Sequence, residues 1–242
     1  MATLIFLPGL ACDAAMWRAQ AAFFGGSRVA PVEEGAASVE EMAGALLAAF
    51  DGPLLLCGAS MGGIVAMEAA RQAPHRVRGL ALLGTTARPE TQEMRRLRED
   101  AIALFETGRA EEVLRANIPL AFAPRNAGNA ALAQEYLGMI ARAGTGQLVR
   151  QNRAIMARPD ARLHLPHVAC PVLVICGEAD QLTPPECSGE IAALVPGSEL
   201  VMLPECGHML TMEEPDEVNR ALAAWLARAG FDRLSPNGGG VS

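Results

Sequence analysis

Residues 54–64 read Leu-Leu-Leu-Cys-Gly-Ala-Ser-Met-Gly-Gly-Ile, and no other segment predicts the architecture of this chain so directly. The apolar run before Gly58 indicates a buried strand, and residues 64–71 have a helical pattern. Between them lies a G-x-S-x-G turn with the Ser60 hydroxyl at its tip. Small residues are needed there because side chains would collide with the adjoining strand and helix. A serine before a helix is also an ordinary N-cap, so Ser60 needs partners elsewhere to be a nucleophile.

Short apolar runs alternate with helical patterns along the whole chain, which is typical of a parallel sheet covered by helices on both faces. The predicted strands are residues 3–7, 28–32, 53–57, 79–83, 172–176 and 199–203. The predicted helices are residues 14–24, 38–50, 62–73, 187–194 and 215–229. We therefore expect an α/β fold with about six mainly parallel strands in a doubly wound sheet.

One long segment interrupts this alternation. Residues 86–162 show only helical pattern, and we predict that they form a helical lid (cap) over the carboxyl edge of the sheet, where open α/β sheets bind ligands. Residues 1–85 and 163–232 are then the α/β core, and residues 233–242, with three consecutive glycines, are expected to be a disordered tail.

Composition limits the class of function. The chain has 242 residues, 51% of them apolar, and a net charge of −7, which argues against nucleic acid as a partner. The six cysteines do not have the spacing of metal ligands, which indicates free thiols. Because we also find no signal peptide and no membrane span in the sequence, we expect a cytoplasmic protein. We expect no metal and no cofactor; the oligomeric state is not predicted.

A serine nucleophile needs a base and an acid that orients the base. Of the four histidines, His208 alone follows a predicted strand and precedes a helix, so its loop leaves from the same sheet edge as Ser60. Asp180 follows the strand at 172–176 in a similar way, with Glu178 as its nearest competitor. Three loops at one edge, in the order Ser, Asp, His, predict a catalytic triad of Ser60, Asp180 and His208.

The tetrahedral intermediate of such a reaction carries an oxyanion that needs two donors. One is the backbone amide after the nucleophile, here Met61, and the second comes from the loop after the first strand. That loop is Pro8-Gly9-Leu10-Ala11, which makes the Leu10 amide the candidate.

The motifs Leu7-Pro8-Gly9-Leu10, Gly58-Ala59-Ser60-Met61-Gly62-Gly63, Gly177-Glu178-Ala179-Asp180 and Gly207-His208 together resemble the α/β-hydrolase superfamily over nearly the whole chain. That resemblance implies the superfamily sheet without its first two strands, and a lid after the sixth. Many members carry His-Gly where this chain has Pro8-Gly9, which affects the detail of the loop. The short chain looks most like small esterases and enol-lactone hydrolases.

The expected function is hydrolysis of a carboxylic ester or lactone through an acyl-enzyme intermediate. The same triad also serves thioesterases, carrier-linked methyl esterases, carbon–carbon bond hydrolases and perhydrolases, and a non-catalytic ligand-binding receptor is the alternative from another class.

The substrate is less defined. Trp17, Phe105, Phe122 and Tyr136 are candidate pocket residues, although aromatic residues at helical spacing are more often core. The predicted lid has twelve arginines against nine acidic residues. An anionic small-molecule substrate would fit if these arginines faced inward, whereas a solvated helical surface is the simpler interpretation.

Overall fold

The computed structural model describes residues 2–30 and 35–231. This part of the chain contains one sheet of six strands, all parallel, in the order β2-β1-β3-β4-β5-β6. The strands are β1 (Thr3–Leu7), β2 (Arg28–Val29), β3 (Leu54–Ala59), β4 (Val77–Leu83), β5 (Val172–Gly177) and β6 (Glu199–Leu203). The predicted α/β fold class is confirmed. The second strand is shorter than the predicted 28–32, and residues 31–34 lie outside the described part, as does the predicted tail at 233–242.

Nine α-helices occur in the described residues: α1 (Arg18–Phe23), α2 (Val39–Ala49), α3 (Met61–Gln72), α4 (Gln92–Glu106), α5 (Ala110–Ala121), α6 (Ala130–Met156), α7 (Pro185–Leu194), α8 (Leu210–Glu213) and α9 (Pro215–Arg228). Residues 14–24, predicted as one helix, form a 3-10 turn followed by α1. No helix of this part of the chain is long and apolar enough to cross a membrane.

Both faces of the sheet are buried. Leu55 of β3 packs into a core with Phe6 and Trp225, whereas its neighbours Leu54 and Leu56 pack into a second core on the opposite face. Since successive side chains of a strand point to opposite faces, a strand between two cores must be apolar throughout. All six residues of β3 are buried, as the continuous apolar run predicts.

Residues 86–162, all of which the structure describes, contain α4, α5 and α6 and no strand. We call this segment the helical insertion. Helix α6 is broken at Gly144, where the backbone has φ 72° and ψ 165°, so its two halves follow different axes. The insertion joins β4 to β5, and its chain meets the loops at the carboxyl edge of the sheet.

The turn after β3 allows unusually close backbone contact. A Cβ atom at Gly58 would lie 2.3 Å from the carbonyl oxygen of Gly62, and one at Gly62 would lie 2.1 Å from that of Leu7. Real side chains do not tolerate such distances, so strand β3, helix α3 and strand β1 meet only because these positions are glycine.

We predict that Gly58→Ala lowers the free energy of unfolding by about 4 kcal/mol or more, or prevents folding, because its methyl group overlaps backbone atoms. The matched control is Gly189→Ala inside α7, where an added Cβ meets no atom within 4 Å. That variant is expected to be about 0.5–1 kcal/mol more stable than the parent. Urea unfolding measures both, and a Gly58→Ala protein of parental stability would contradict the close-contact interpretation.

Candidate active site

Ser60 lies between β3 and α3 with the strained backbone that the motif predicts. Its φ is +53° and its ψ −119°, a conformation rarely adopted by residues other than glycine. The Ser60 amide donates to the Leu83 carbonyl at 2.9 Å, and the Thr85 hydroxyl donates to the Ser60 carbonyl at 2.7 Å. The end of β4 thus holds both backbone groups of Ser60 in place. Its side-chain oxygen makes no hydrogen bond with any described residue.

The loop after β1 lies next to Ser60 because the strand order reverses there. Strand β2 lies on one side of β1 and β3 on the other, so the loops after β1 and β3 leave a crevice between them. A Cβ atom at Gly9 would be 3.4 Å from the Ser60 Cβ. The amides of Leu10 and Met61, the two predicted oxyanion donors, donate no hydrogen bond within the described residues. Both remain available to a ligand.

Asp180 and His208 form a buried pair at the same edge. Their exposed fractions are 3% and 6%, and His208 Nδ1 lies 2.8 Å from Asp180 Oδ2 and 3.0 Å from Oδ1. Because a carboxylate oxygen can only accept, Nδ1 is the donor of this pair, and in the neutral imidazole Nε2 then keeps its lone pair. The pair lies close to the loop beside Ser60, since a Cβ at Gly84 would be 3.2 Å from Asp180 Oδ2 and 3.5 Å from His208 Nδ1.

The Asp180 carboxylate accepts four hydrogen bonds. Oδ1 accepts from the amides of Leu182 and Thr183, both at 2.9 Å, and Oδ2 accepts from the Thr183 hydroxyl at 2.9 Å and from His208. Burial pushes the pKa of Asp180 upward, but the neighbouring His208 and the Thr183 donors outweigh it, so the pKa lies below the usual carboxyl value. Asp180 therefore stays ionised and fixed in orientation. Thr183 was not among the predicted site residues, and its position three residues after Asp180 is the local signal for its contact with the carboxylate.

The loop that carries His208 is fastened to the helical insertion. The amides of His208 and Met209 both donate to the Ala121 carbonyl, at 3.0 and 3.1 Å. The Glu213 carboxylate accepts from the Gly207 amide at 3.0 Å and from the Ala123 amide at 2.8 Å. The position of the imidazole thus depends on residues at the end of α5, which were not among the predicted site residues.

The other histidines do not join this cluster. His164 and His167 line a cavity of about 190 Å³ together with Val77, at the amino end of β4 and so at the opposite edge of the sheet. Burial lowers the pKa of His164. His75 follows α3 at that same opposite edge, directly before β4. Topology thus leaves His208 as the histidine on the Ser60 side.

The four candidate pocket aromatics are buried in the core. Trp17 is fully buried and stacks on Phe6 with ring centroids 4.7 Å apart, and Phe122 contacts Tyr136 edge to face at 5.8 Å. Phe105 belongs to the same core. Core packing accounts for all four, and their role as pocket lining stays a prediction.

An apolar cavity of about 60 Å³ lies beside the loop after β1. Its walls come from that loop and from the helices around it: Leu7, Pro8, Gly9, Ala30, Met42, Leu46, Met61, Gly62, Val65 and Gln151. Ser60 and His208 do not contribute to this lining. The described residues hold no group of three or more His, Cys, Asp or Glu side chains suited to a metal ion.

Most arginines of the helical insertion bind carboxylates. Nine of the twelve are in ion pairs: Arg88, Arg98, Arg109, Arg115, Arg125, Arg142, Arg153, Arg158 and Arg162. Four of these bind acidic residues of the core: Arg88 and Arg162 bind Glu190, Arg125 binds Glu214 and Arg142 binds Asp13. The positive charge of the insertion is thus largely compensated by the acidic core.

Comparison with known proteins identifies the family. The family model described as alpha/beta hydrolase fold matches residues 21–215. A relative from Serratia proteamaculans (strain 568), named "Putative carbamate hydrolase RutD", is 30% identical over 177 residues, which cover 71% of this chain and 64% of the relative. The chain thus spans just under two thirds of that relative's length.

Solved structures agree in fold. A thermophilic esterase from Thermogutta terrifontis, solved with malate bound, is 29% identical with a TM-score of 0.84, covering 95% of this chain and 90% of its own. An enol-lactonase from Burkholderia xenovorans LB400, 24% identical, has the same fold with a TM-score of 0.82 over 94% of this chain and 92% of its own.

The donors around Asp180 predict a pH-dependent effect of Thr183→Val. Because the folded pKa of Asp180 is lowered, its ionised form contributes stability that is fully present above about pH 4 and is lost as the pH falls through the folded value. Removing the hydroxyl is expected to cost about 1.5–3 kcal/mol at pH 7, as for a hydrogen bond to a charged group, and less below pH 4.

Urea unfolding at pH 7 and at pH 3.5 measures this difference. The control is Thr107→Val, whose exposed hydroxyl bonds only to carbonyls of its own helix and is expected to matter little. A cost of Thr183→Val that is equal at both pH values would contradict the assigned role.

Proposed function

The chain belongs to the α/β-hydrolase fold family, and we propose that it is a serine hydrolase that cleaves a small carboxylic ester or lactone through an acyl-enzyme intermediate. The observation that carries this proposal is the buried Asp180–His208 pair at the sheet edge where Ser60 and two free amides also lie. Packing alone does not explain such a set of groups, because moving the Asp180 carboxylate out of water costs free energy.

Each group then has one role. His208 Nε2 takes the proton of Ser60 as its oxygen attacks the substrate carbonyl, and Asp180 stabilises the imidazolium that forms. The amides of Met61 and Leu10 hold the oxyanion. His208 next gives its proton to the leaving alcohol, which departs and leaves the acyl group on Ser60. Water, activated by the same histidine, then releases the acid.

The similar proteins support the choice of substrate class. The Thermogutta terrifontis esterase is 29% identical over nearly the whole chain, and esters and lactones share the carbonyl and alkoxide leaving group that this arrangement handles. The relative named as a carbamate hydrolase favours a second candidate, since a carbamate presents the same carbonyl with a nitrogen substituent. A carbamate turned over faster than the matching ester would select this second function without changing the role of Ser60.

We predict that Ser60→Ala lowers kcat/KM for p-nitrophenyl acetate and butyrate by about 10⁴-fold or more, because the remaining groups supply no nucleophile. Ser198→Ala, which removes a hydroxyl that bonds to the Ala192 carbonyl, is the matched control and should keep the parental rate. A Ser60→Ala protein that retains the parental rate would refute the assignment.

A fluorophosphonate probe separates an enzyme from a receptor of the same fold. Stoichiometric labelling, mapped to Ser60 by mass spectrometry and absent in Ser60→Ala, is expected. Folded parent protein that fails to react would support the receptor alternative.

We further propose that the acyl group is uncharged, because most arginines of the insertion are already paired. Arg150 is half-buried and lies beside Gln151 in sequence, and no described carboxylate pairs with it.

We expect a neutral butyrate ester to have at least the kcat/KM of a succinate half-ester of equal length, with the ratio of the two values unchanged in Arg150→Gln. Arg115→Gln, on the exposed surface of α5, is the control. A preference for the anionic ester that disappears in Arg150→Gln alone would overturn this proposal.

A further inference from the structure

The Thr85 side chain lies against the first turn of α3. Thr85 follows β4 and is fully buried, and its hydroxyl donates to the Ser60 carbonyl at 2.7 Å. A Cβ atom at Gly63 would be 2.7 Å from Thr85 Cγ2 and 2.8 Å from Thr85 Oγ1, so the helix can pack on the threonine only because position 63 is glycine. Glycine weakens a helix relative to alanine. The contact with Thr85 gives a reason for this glycine, which the G-x-S-x-G pattern does not include.

The Ser60 carbonyl accepts three hydrogen bonds from the described residues. Two come from amides of α3 itself, those of Gly63 at 3.0 Å and Ile64 at 3.3 Å. Because both donors belong to the helix, these bonds fix the carbonyl only relative to α3. The third bond, from Thr85, is the shortest, and its donor belongs to the segment that follows β4. This bond therefore ties the carbonyl to the sheet.

The Ser60 carbonyl and the Met61 amide belong to one peptide group. This peptide is trans, so its C=O and N–H bonds lie in one plane and point in opposite directions. Whatever holds the Ser60 oxygen therefore also holds the direction of the Met61 N–H. That N–H is one of the two predicted oxyanion donors and donates to no described residue. Thr85 thus acts on an oxyanion donor through a single rigid peptide plane, with no freely rotating bond between them.

The same bond affects how strongly Met61 donates. A hydrogen bond accepted by the C=O of an amide polarises that amide and makes its N–H a stronger donor. The gain is largest in the transition state, because the negative charge that faces the N–H develops there. We propose that Thr85 is a positioning residue: its hydroxyl holds the Ser60–Met61 peptide against the sheet, so that the Met61 amide meets the oxyanion. This inference rests on the proposed serine hydrolase function.

The test compares Thr85→Ala with Thr85→Ser, two variants that differ by one oxygen atom. Both lose the methyl group, and only Thr85→Ser keeps the hydroxyl. In Thr85→Ala we expect kcat for p-nitrophenyl butyrate to fall about 10-fold with KM changed less than about threefold. Removing an oxyanion donor outright costs about 10²–10³-fold in kcat, and this change weakens one donor without removing it. Thr85→Ser is expected to keep kcat within about threefold of the parent, with rates expressed per site that the fluorophosphonate probe can titrate.

Inhibition by a short alkyl trifluoromethyl ketone distinguishes positioning from a general loss of structure. The Ser60 oxygen adds to the ketone carbon, its proton passes to His208, and the carbonyl electrons remain on an oxyanion that faces the two amides. The inhibition constant Ki should therefore rise in Thr85→Ala by about the factor by which kcat falls.

Thr107→Ala is the matched control. It removes a threonine hydroxyl that also donates to backbone carbonyls, those of Ala103 and Leu104 in α4, and it should leave both kcat and Ki unchanged.

A folded Thr85→Ala protein with parental kcat would overturn the proposal. Equal losses in Thr85→Ala and Thr85→Ser would also overturn it, since they would assign the effect to the methyl group, as would a fall in kcat with Ki unchanged. If Thr85→Ala does not fold, Thr85→Val, which keeps the volume of the side chain and removes the donor, takes its place with the same expectations. Failure of the proposed function itself would appear differently, as parent protein that neither reacts with the probe nor hydrolyses esters.

Discussion

Direct backbone-to-backbone packing at the carboxyl edge of the sheet is the constraint that makes the candidate site possible. Methyl groups at Gly58, Gly62 and Gly177 would each fall within 2.3 Å of a carbonyl oxygen on a neighbouring segment. Because these methyl groups are missing, the end of β1 lies against the start of α3 behind Ser60, and the loops after β5 and β6 come close enough for the Ala179 amide to donate to the Cys206 carbonyl. The strained Ser60 is held by the end of β4.

Much of this architecture could be predicted from the sequence. A parallel strand buried on both faces must be apolar, so β1 has the predicted bounds and β3, β4 and β5 differ by at most two residues at either end. The two edge strands lack that double burial: β6 still has the predicted bounds, whereas the predicted range of β2 was the least accurate among the described strands. Ser60, Asp180 and His208 could be placed because each follows a strand, and topology brings such positions to one edge.

The contacts that support the site could not be predicted in this way. Gln151 is 140 residues from Ala11 in sequence, and nothing in the residues around it distinguishes it from an ordinary helical glutamine. Glu213 and Ala123 are likewise joined only by the folded structure. The excess of arginines in the insertion misleads in the other direction. Counted along the sequence it suggests an anion-binding surface, whereas in the folded chain ion pairs with acidic residues of the core neutralise most of this positive charge. Exposed pairs of this kind add little stability, so their main effect is to balance charge between the two parts of the chain.

The break at Gly144 divides α6 into two halves with different tasks. The first half carries Tyr136 into the core, and the second carries Gln151 to the loop beside Ser60. Because a non-helical residue separates them, the hydrogen-bond ladder of one half does not continue into the other. A change of direction or of length in the first half is therefore not passed along one continuous helix to the second half, which keeps its contact with the loop beside Ser60.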